Sequence, residues 1–384
     1  MSMTVTPAAL TDEERAAIID AVREFAQSRL APNALDWDRR KHFPRDALAA
    51  AGELGLGGIS VRDDVGGAGL RREDAAAIFE ALAMGDPTIA AYISIHNMVA
   101  WMIDTFGTDD QRRRWLPNLV AMTELGSYCL TEPGAGSDAA AITTSAIPDG
   151  DEYVLTGVKQ FISGAGAAAV YVVMARTGAP GAKGITAFLV PADAAGLSFG
   201  PNEHKMGWNA QPTRQVILDE VRVPASAVLG EVGGGFRIAM KGLNGGRVNI
   251  AACSIGGAQW ALDRAVRYVH ERFTFGEALA ERQTVVFALA DMATQLQAAR
   301  ALVQGAARAI DEGAPDVAVQ CAMAKRFATD AGFEVANQAL QLHGGYGYLQ
   351  EYGIEKVVRD LRVHQILEGT NEIMRVVIGR GVLG

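Results

Sequence analysis

Tyr128-Cys129-Leu130-Thr131-Glu132-Pro133-Gly134-Ala135-Gly136-Ser137-Asp138 marks the place where the chain changes texture. Before it, apolar residues recur at helical spacing; after it, short β-branched runs follow one another between Gly, Pro and Asp. The stretch joins an apolar entry to a glycine-rich turn with three hydroxyls. Such a turn offers backbone N–H groups and hydroxyls to an oxygen-rich or heteroaromatic ligand. It is not a dinucleotide fingerprint, because the GxGxxG spacing is absent and strands follow it, and no Gly-Lys-Ser/Thr makes it a P-loop. A hairpin-rich connection is the plain alternative.

Upstream, Thr11-Asp12-Glu13-Glu14 is a capping box, and Ile18, Ile19, Val22, Phe25 and Ala26 then repeat as a helix face that Pro32 closes. Pro44 opens a second helix, which ends near Gly55. After a loop at Gly66–Gly69 come a helix from Arg72 to Met84, a long apolar helix from Asp86-Pro87 to Phe106, and one from Asp109 to Met122. Residues 1–126 are expected to be a helical domain. Downstream, Tyr153–Thr156, Ala169–Met174, Gly184–Val190 and Arg214–Leu218 predict a compact β sandwich or barrel over residues 127–232. No helix-length repeat separates the strands, which argues against a doubly wound sheet. The 3.6 period returns after Gly233-Gly234-Gly235, with helices near 236–270, 282–310 and 316–342 and a last one to the end. These predict a four-helix bundle over residues 233–384, in an α+β chain ordered helical, β, helical.

Composition narrows the function. With 49% hydrophobic and 21% charged residues, the 384-residue chain is a packed multi-domain protein. A net charge of −9 argues against a nucleic-acid surface. Cys129, Cys253 and Cys321 form no CxxC pair and read as reduced, buried thiols. Met1–Leu10 lacks a basic start followed by an apolar core, so no export signal is expected and the cytoplasm is the expected location. Ser94, His96, Asn97 and Asp104 interrupt the most apolar helix, which favours burial over a membrane span. No cluster has metal-ligand spacing.

Gln365-Ile366-Leu367-Glu368-Gly369-Thr370-Asn371-Glu372 carries the chemistry. An apolar pair delivers Glu368, and Gly369 lets a large group approach the backbone. An apolar neighbourhood raises a carboxylate's proton affinity toward that of a useful general base. The alternative is a Glu capping the last helix. Three other stretches are equally two-sided. Phe161-Ile162-Ser163-Gly164 offers an aromatic face and a hydroxyl to a flat ring, or is a strand and a turn. Arg272-Phe273-Thr274-Phe275-Gly276 could place a guanidinium on a phosphate, or cap a helix. Gln341-Leu342-His343-Gly344-Gly345 permits close backbone approach, though one Gly would suffice as a cap, and His343 suits an interior position.

Taken in order, these stretches resemble the acyl-CoA dehydrogenase family over essentially the whole chain. Ala91–Asn97, Gly242–Arg247 and Arg362–Glu368 look like the branch acting on isobutyryl-CoA in valine breakdown. The resemblance implies a homotetramer that binds FAD, oxidises an acyl-CoA and passes electrons to an electron-transfer flavoprotein. Glu368 would take the α-proton while the β-hydrogen leaves as hydride to flavin N5. Tyr128, Cys129, Leu130, Thr131, Gly136 and Ser137, with Phe161, Ile162 and Ser163, would hold the flavin ring and its upper chain. Thr370, Asn371 and Glu372 would continue that site. Arg272, Phe275, Arg282, Gln283, Gln341, Leu342, His343, Gly344 and Gly345 would reach the adenosine and pyrophosphate end, in a neighbouring subunit. Ser137, Asn244, Gly245, Gly246, Arg247 and Arg380 would touch the acyl-CoA. Some relatives have Trp where Phe161 stands, and isovaleryl-type members take their base from the position of Gly246, which points back to Glu368. Tyr92, Ile95 and Met98, near one face of the apolar helix, are expected to floor a short acyl pocket, with Gly245 and Gly246 leaving width near the α-carbon. A 2-methylbutyryl- or butyryl-CoA dehydrogenase, an oxidase on the same fold and a non-catalytic acyl-CoA-binding protein are the alternatives.

Overall fold

The Thr11 hydroxyl accepts the Glu14 N–H while the Glu14 carboxylate takes the Thr11 N–H, so the predicted box caps α1 (Asp12–Phe25). The computed structural model describes residues 10–384; the reading of the first nine residues as lacking an export signal lies outside them. A π-helical turn, Ala26–Leu30, continues α1, and a short α2 (Ala34–Arg40) that the periodicity did not reveal follows. The remaining N-terminal helices fall where expected: α3 (Arg45–Glu53), α4 (Arg72–Gly85), α5 (Pro87–Phe106) and α6 (Asp109–Val120). Asp86 caps α5 by accepting the Thr88 N–H, with Pro87 in the first turn where its missing N–H is harmless.

The middle domain is one eight-stranded mixed sheet. Its strands are β1 (Gly126–Cys129), β2 (Ser145–Asp149), β3 (Glu152–Ser163), β4 (Val170–Arg176), β5 (Ile185–Pro191), β6 (Leu197–Phe199), β7 (Thr213–Pro224) and β8 (Val228–Leu229). Neighbours run β6-β7-β3-β2-β4-β5-β8, with β1 parallel to β4 in the register Gly126↔Val170. β4 is buried from Val170 to Ala175, which explains its unbroken apolar run.

The C-terminal domain holds α7 (Gly235–Glu271), α8 (Gln283–Glu312) and α9 (Val317–His343), packed on one another. Between α7 and α8 a short hairpin pairs β9 (Phe273–Thr274) with β10 (Glu277–Ala278). One final helix was expected; there are two, α10 (Ile354–His364) and α11 (Asn371–Leu383), with Glu368 in the turn between them. α4 and α5 pack against α7, so the N-terminal domain closes over the bundle. A buried polar cluster pins all three domains together. Lys356 Nζ donates to Asp86 and Asp360 at 2.7 Å each, and Asp360 also accepts the Thr88 hydroxyl at 2.9 Å and the Trp208 N–H at 2.7 Å. Removing one partner would strand a buried charge, at about 3–5 kcal/mol. Among the described residues no helix is long and apolar enough to cross a membrane, and no cluster could hold a metal ion.

Candidate active site

The turn that bears Glu368 is built tightly. The Ile366 and Leu367 N–H groups both bond to the Val363 carbonyl, and the Asn371 N–H returns to the Gln365 carbonyl at 3.0 Å. This forces Glu368 to φ +56° and Gly369 to φ +87°. A non-Gly residue held in the left-handed region is a strained position of the kind found at working sites. The helix cap is Thr370, whose hydroxyl accepts the Ile373 N–H, so Glu368 is free of the capping role. Its side chain points instead at α7, where Gly246 leaves room for it.

The environment of that carboxylate suits a base. Glu368 is half-buried as a residue, yet its Oε2 is closed off and has no hydrogen-bond partner. Burial raises its pKa to about 7 against the lowering fields of Arg247 and Lys325. No backbone or side-chain group among the described residues accepts the Glu368 N–H, whereas Arg247 Nε donates to the Glu368 carbonyl at 3.2 Å. Arg247 Nη1 also holds Asn244 Oδ1 at 2.9 Å, which ties two expected substrate residues to the turn. The Tyr128 hydroxyl is buried and unpartnered too; burial, and next the charge of Glu368, raise its pKa. Two orphaned polar atoms that feel each other, beside a glycine, mark a place where a ligand would complete the bonding.

The loop after β1 is held by an ion pair that the sequence reading missed. Lys159, wholly buried, donates to Glu132 at 2.8 Å and to the Leu130 carbonyl at 3.1 Å. Glu132 also accepts the Thr143 and Thr144 N–H groups, and these partners overcome burial to bring its pKa down to about 2. With its shape fixed, the loop leaves Gly136 and Ser137 exposed. Phe161 lies at a register shift in β3, at φ +59° and 63% exposed, so its ring stands outward from the sheet. Ile162 is buried behind it, and the Ser163 carbonyl takes the Ser127 hydroxyl.

A second group assembles at the far end of α7. Arg272, Gln341, Leu342, His343, Gly344 and Gly345 line one cavity of about 370 Å³, with Tyr268 and Tyr346. Arg282 lies 5.1 Å from the ring of Phe275 and donates to the carbonyl of Thr274, which lines the same cavity. Phe275 is 96% exposed at φ +56°. Gln283 and Arg380 are exposed on the starts and ends of their helices, away from any contact the structure gives.

Several of the expected site residues have side chains that are engaged or buried within the protein. Asn371 presents no free side chain to a cofactor: its amide is engaged by Lys325, Thr329 and Asp330. Cys129 is wholly buried, its thiol pushed up to about 12 by burial, so only its backbone can serve a ligand. His343 is interior, bonded to the Ala339 carbonyl and stacked on Tyr268, as its sequence context suggested. Glu372 is exposed. Tyr92 packs edge-on against Phe43 and close to Gly164, toward the sheet; Met98 with Met102 faces Gly242 of α7 instead.

The groups fit FAD: an outward aromatic ring beside a hydroxyl-bearing loop suits a flat isoalloxazine, and Arg272 with the glycine backbone at Gly344 suits a phosphate-bearing adenosine. Models of the acyl-CoA dehydrogenase N-terminal, middle and C-terminal domains match residues 12–123, 127–221 and 233–383.

The chain belongs to the acyl-CoA dehydrogenase family.

It is therefore an FAD-dependent oxidoreductase with the family's three-domain fold. An isobutyryl-CoA dehydrogenase from Bos taurus, named as mitochondrial, is 51% identical over 99% of this chain and 91% of its own. The Dictyostelium discoideum protein of the same name is 53% identical over 93% of this chain and 86% of its own. Butyryl-CoA dehydrogenase from Megasphaera elsdenii superposes with a TM-score of 0.94 at 38% identity, covering 98% of this chain and all of that one (100%).

Proposed function

We propose that this acyl-CoA dehydrogenase oxidises a short branched acyl-CoA, isobutyryl-CoA to methacrylyl-CoA in valine breakdown, with Glu368 as the α-proton acceptor. The observation that carries the reading is the buried, unpartnered Glu368 Oε2 over Gly246, beside a backbone N–H without a protein acceptor. The two isobutyryl-CoA dehydrogenases that are about half identical to this chain support the choice of acyl group.

Bound FAD would supply the acceptor for the β-hydrogen and its electron pair. The chain's residues do the rest. The Glu368 N–H, which has no acceptor among the described residues, would polarise a thioester carbonyl, whose developing charge such a donor stabilises in a dry site. Glu368 takes the proton from the α-carbon, and its pKa near 7 makes it a stronger base than an ordinary carboxylate. Tyr128, Phe161, Ser137 and Thr131 would hold the flavin side. Arg272 and Gln341–Gly345 would hold an adenosine end contributed across a homotetramer. An electron-transfer flavoprotein is the proposed acceptor, and the cytoplasm the proposed location, on the strength of three buried, unpaired thiols.

The test is kcat/KM for isobutyryl-, butyryl-, 2-methylbutyryl-, isovaleryl- and octanoyl-CoA, with product mass and with either an electron-transfer flavoprotein or air as acceptor. Isobutyryl-CoA should be best, and turnover should need the flavoprotein. A best rate with octanoyl-CoA would overturn the branched-chain assignment, and equal turnover in air would overturn the acceptor.

A further inference from the structure

Lys325 lies in the middle of α9, wholly buried, 43 residues before Glu368 in sequence. A lysine in such a place usually extends its head to water or shifts to the neutral form. Here the head is held by two acceptors instead. Its Nζ donates to the Gly369 carbonyl at 2.8 Å and to Asn371 Oδ1 at 2.8 Å. Asn371 is itself locked, its amide nitrogen donating to Asp330 at 2.7 Å and to Thr329 at 3.0 Å. Arg247, from α7 on the other side, donates to the carbonyl of Glu368. Two cations from two helices thus each take one carbonyl of the two-residue left-handed turn.

The consequence is directional. With the Glu368 and Gly369 carbonyls both held by cations, the peptide planes of the turn are fixed, and the Glu368 N–H is left without an acceptor in the chain. The same constraint sets the side chain over Gly246, where the nearest carboxylate oxygen is 2.5 Å from a built Cβ. A strained turn of this kind persists only when its surroundings over-determine it.

We propose that Lys325 is a positioning residue for proton transfer: by holding Gly369 and Asn371 it fixes both the backbone N–H and the carboxylate of Glu368 in their working places. The inference rests on Glu368 being the base. Lys325 also acts through its charge. The groups that face Glu368 are Arg247 from α7, Lys325 from α9 and Tyr128 from β1; those that face Lys325 are Glu368, Arg247, Asp330 and Glu372. Burial lowers the Lys325 pKa to about 8 while Glu368 pulls it up, so the lysine keeps its positive charge at neutral pH and holds the base below the value burial alone would give.

The test uses holoenzyme variants Lys325→Met and Lys325→Gln, with anaerobic flavin reduction by isobutyryl-CoA followed per bound flavin across pH 5.5–9 (about the range in which a base near 7 titrates). Lys325→Met should slow reduction by roughly tenfold or more at saturating substrate, with little change in KM. Its acid limb should move to higher pH, because removing a nearby cation raises a carboxylate's proton affinity. Lys325→Gln keeps an N–H donor for Gly369 without the charge: it should recover much of the rate while its acid limb stays displaced. An unchanged rate per flavin and an unmoved acid limb, with only thermal stability lowered, would reduce Lys325 to a structural anchor and overturn the proposal. Should Lys325→Met not fold, Lys325→Gln alone decides by the position of its limb. Glu368→Gln serves as the separate control: flavin reduction surviving in that variant would remove the base assignment itself, whatever Lys325 does.

Discussion

The carboxylate of Glu368 occupies the space that a side chain on Gly246 would fill, with Oε2 2.5 Å and the carboxyl carbon 2.8 Å from a Cβ built there. Gly246→Ala should therefore displace the carboxylate and leave the helix intact. The expected result is normal FAD content and flavin reduction slowed by about 10- to 100-fold, because a displacement near 1 Å can cost about two orders of magnitude. Stopped-flow reduction with isobutyryl-CoA measures it. A wild-type rate would mean that the carboxylate works from some other position.

Burial of Glu368 has a stability consequence with a definite sign. Its folded pKa, about 7, lies above the ordinary 4.5, so folding favours the protonated form. That contribution is fully present below the ordinary value and is lost as pH rises through 7. Above pH 7 the native state carries a buried charge at a disadvantage of up to about 3 kcal/mol. Glu368→Gln should therefore be more stable than wild type at pH 8 and nearly equal to it at pH 4.5. Thermal melts of the two holoenzymes at both pH values check this, and a gap independent of pH would contradict it.

Arg272 lines the cavity shared by Gln341, Gly344 and Gly345, its guanidinium carbon 5.7 Å from the ring of Tyr346. Arg272→Ala removes a charged partner for a pyrophosphate without touching Glu368. The variant should purify with less flavin and, where the contact crosses subunits, assemble less tightly. Flavin absorbance per protein and sedimentation measure both. A fully yellow variant with unchanged assembly and melting temperature would exclude the role.

Met98 and Met102 of α5 meet α7 at Gly242, a turn away from Gly246. Shortening Met98 to Ala should deepen the acyl site and move kcat/KM toward longer chains. One methylene is worth about 1–3 kcal/mol, so the preference for isobutyryl over 2-methylbutyryl should shrink by roughly tenfold. A uniform loss across all acyl-CoAs would instead mark Met98 as packing alone.

Much of the fold was legible because its signals are local. The Thr11 box, the Asp86-Pro87 start and the alternation of apolar runs with Gly and Pro each act within a few residues, and each formed as read. α10 escaped because it starts after Gly353, in the left-handed conformation and without a side-chain cap. The site was legible where a motif carries its own chemistry, as Glu368-Gly369-Thr370 does. It was not legible where the partner is remote. Nothing in the pattern of α9 reveals that Lys325 reaches Gly369, or that Lys159 pairs with Glu132 in the loop after β1. Tyr92 was misplaced for the same reason: helical spacing gives a face, and only Phe43 and Gly164 decide what that face meets.

The most direct test of Glu368 as the base is anaerobic flavin bleaching by isobutyryl-CoA in wild type and Glu368→Gln, both FAD-replete. The near-isosteric amide keeps the fold and the cofactor but cannot accept the α-proton. Rapid bleaching in wild type and none in the variant is the expected result; bleaching at a wild-type rate in Glu368→Gln would contradict it.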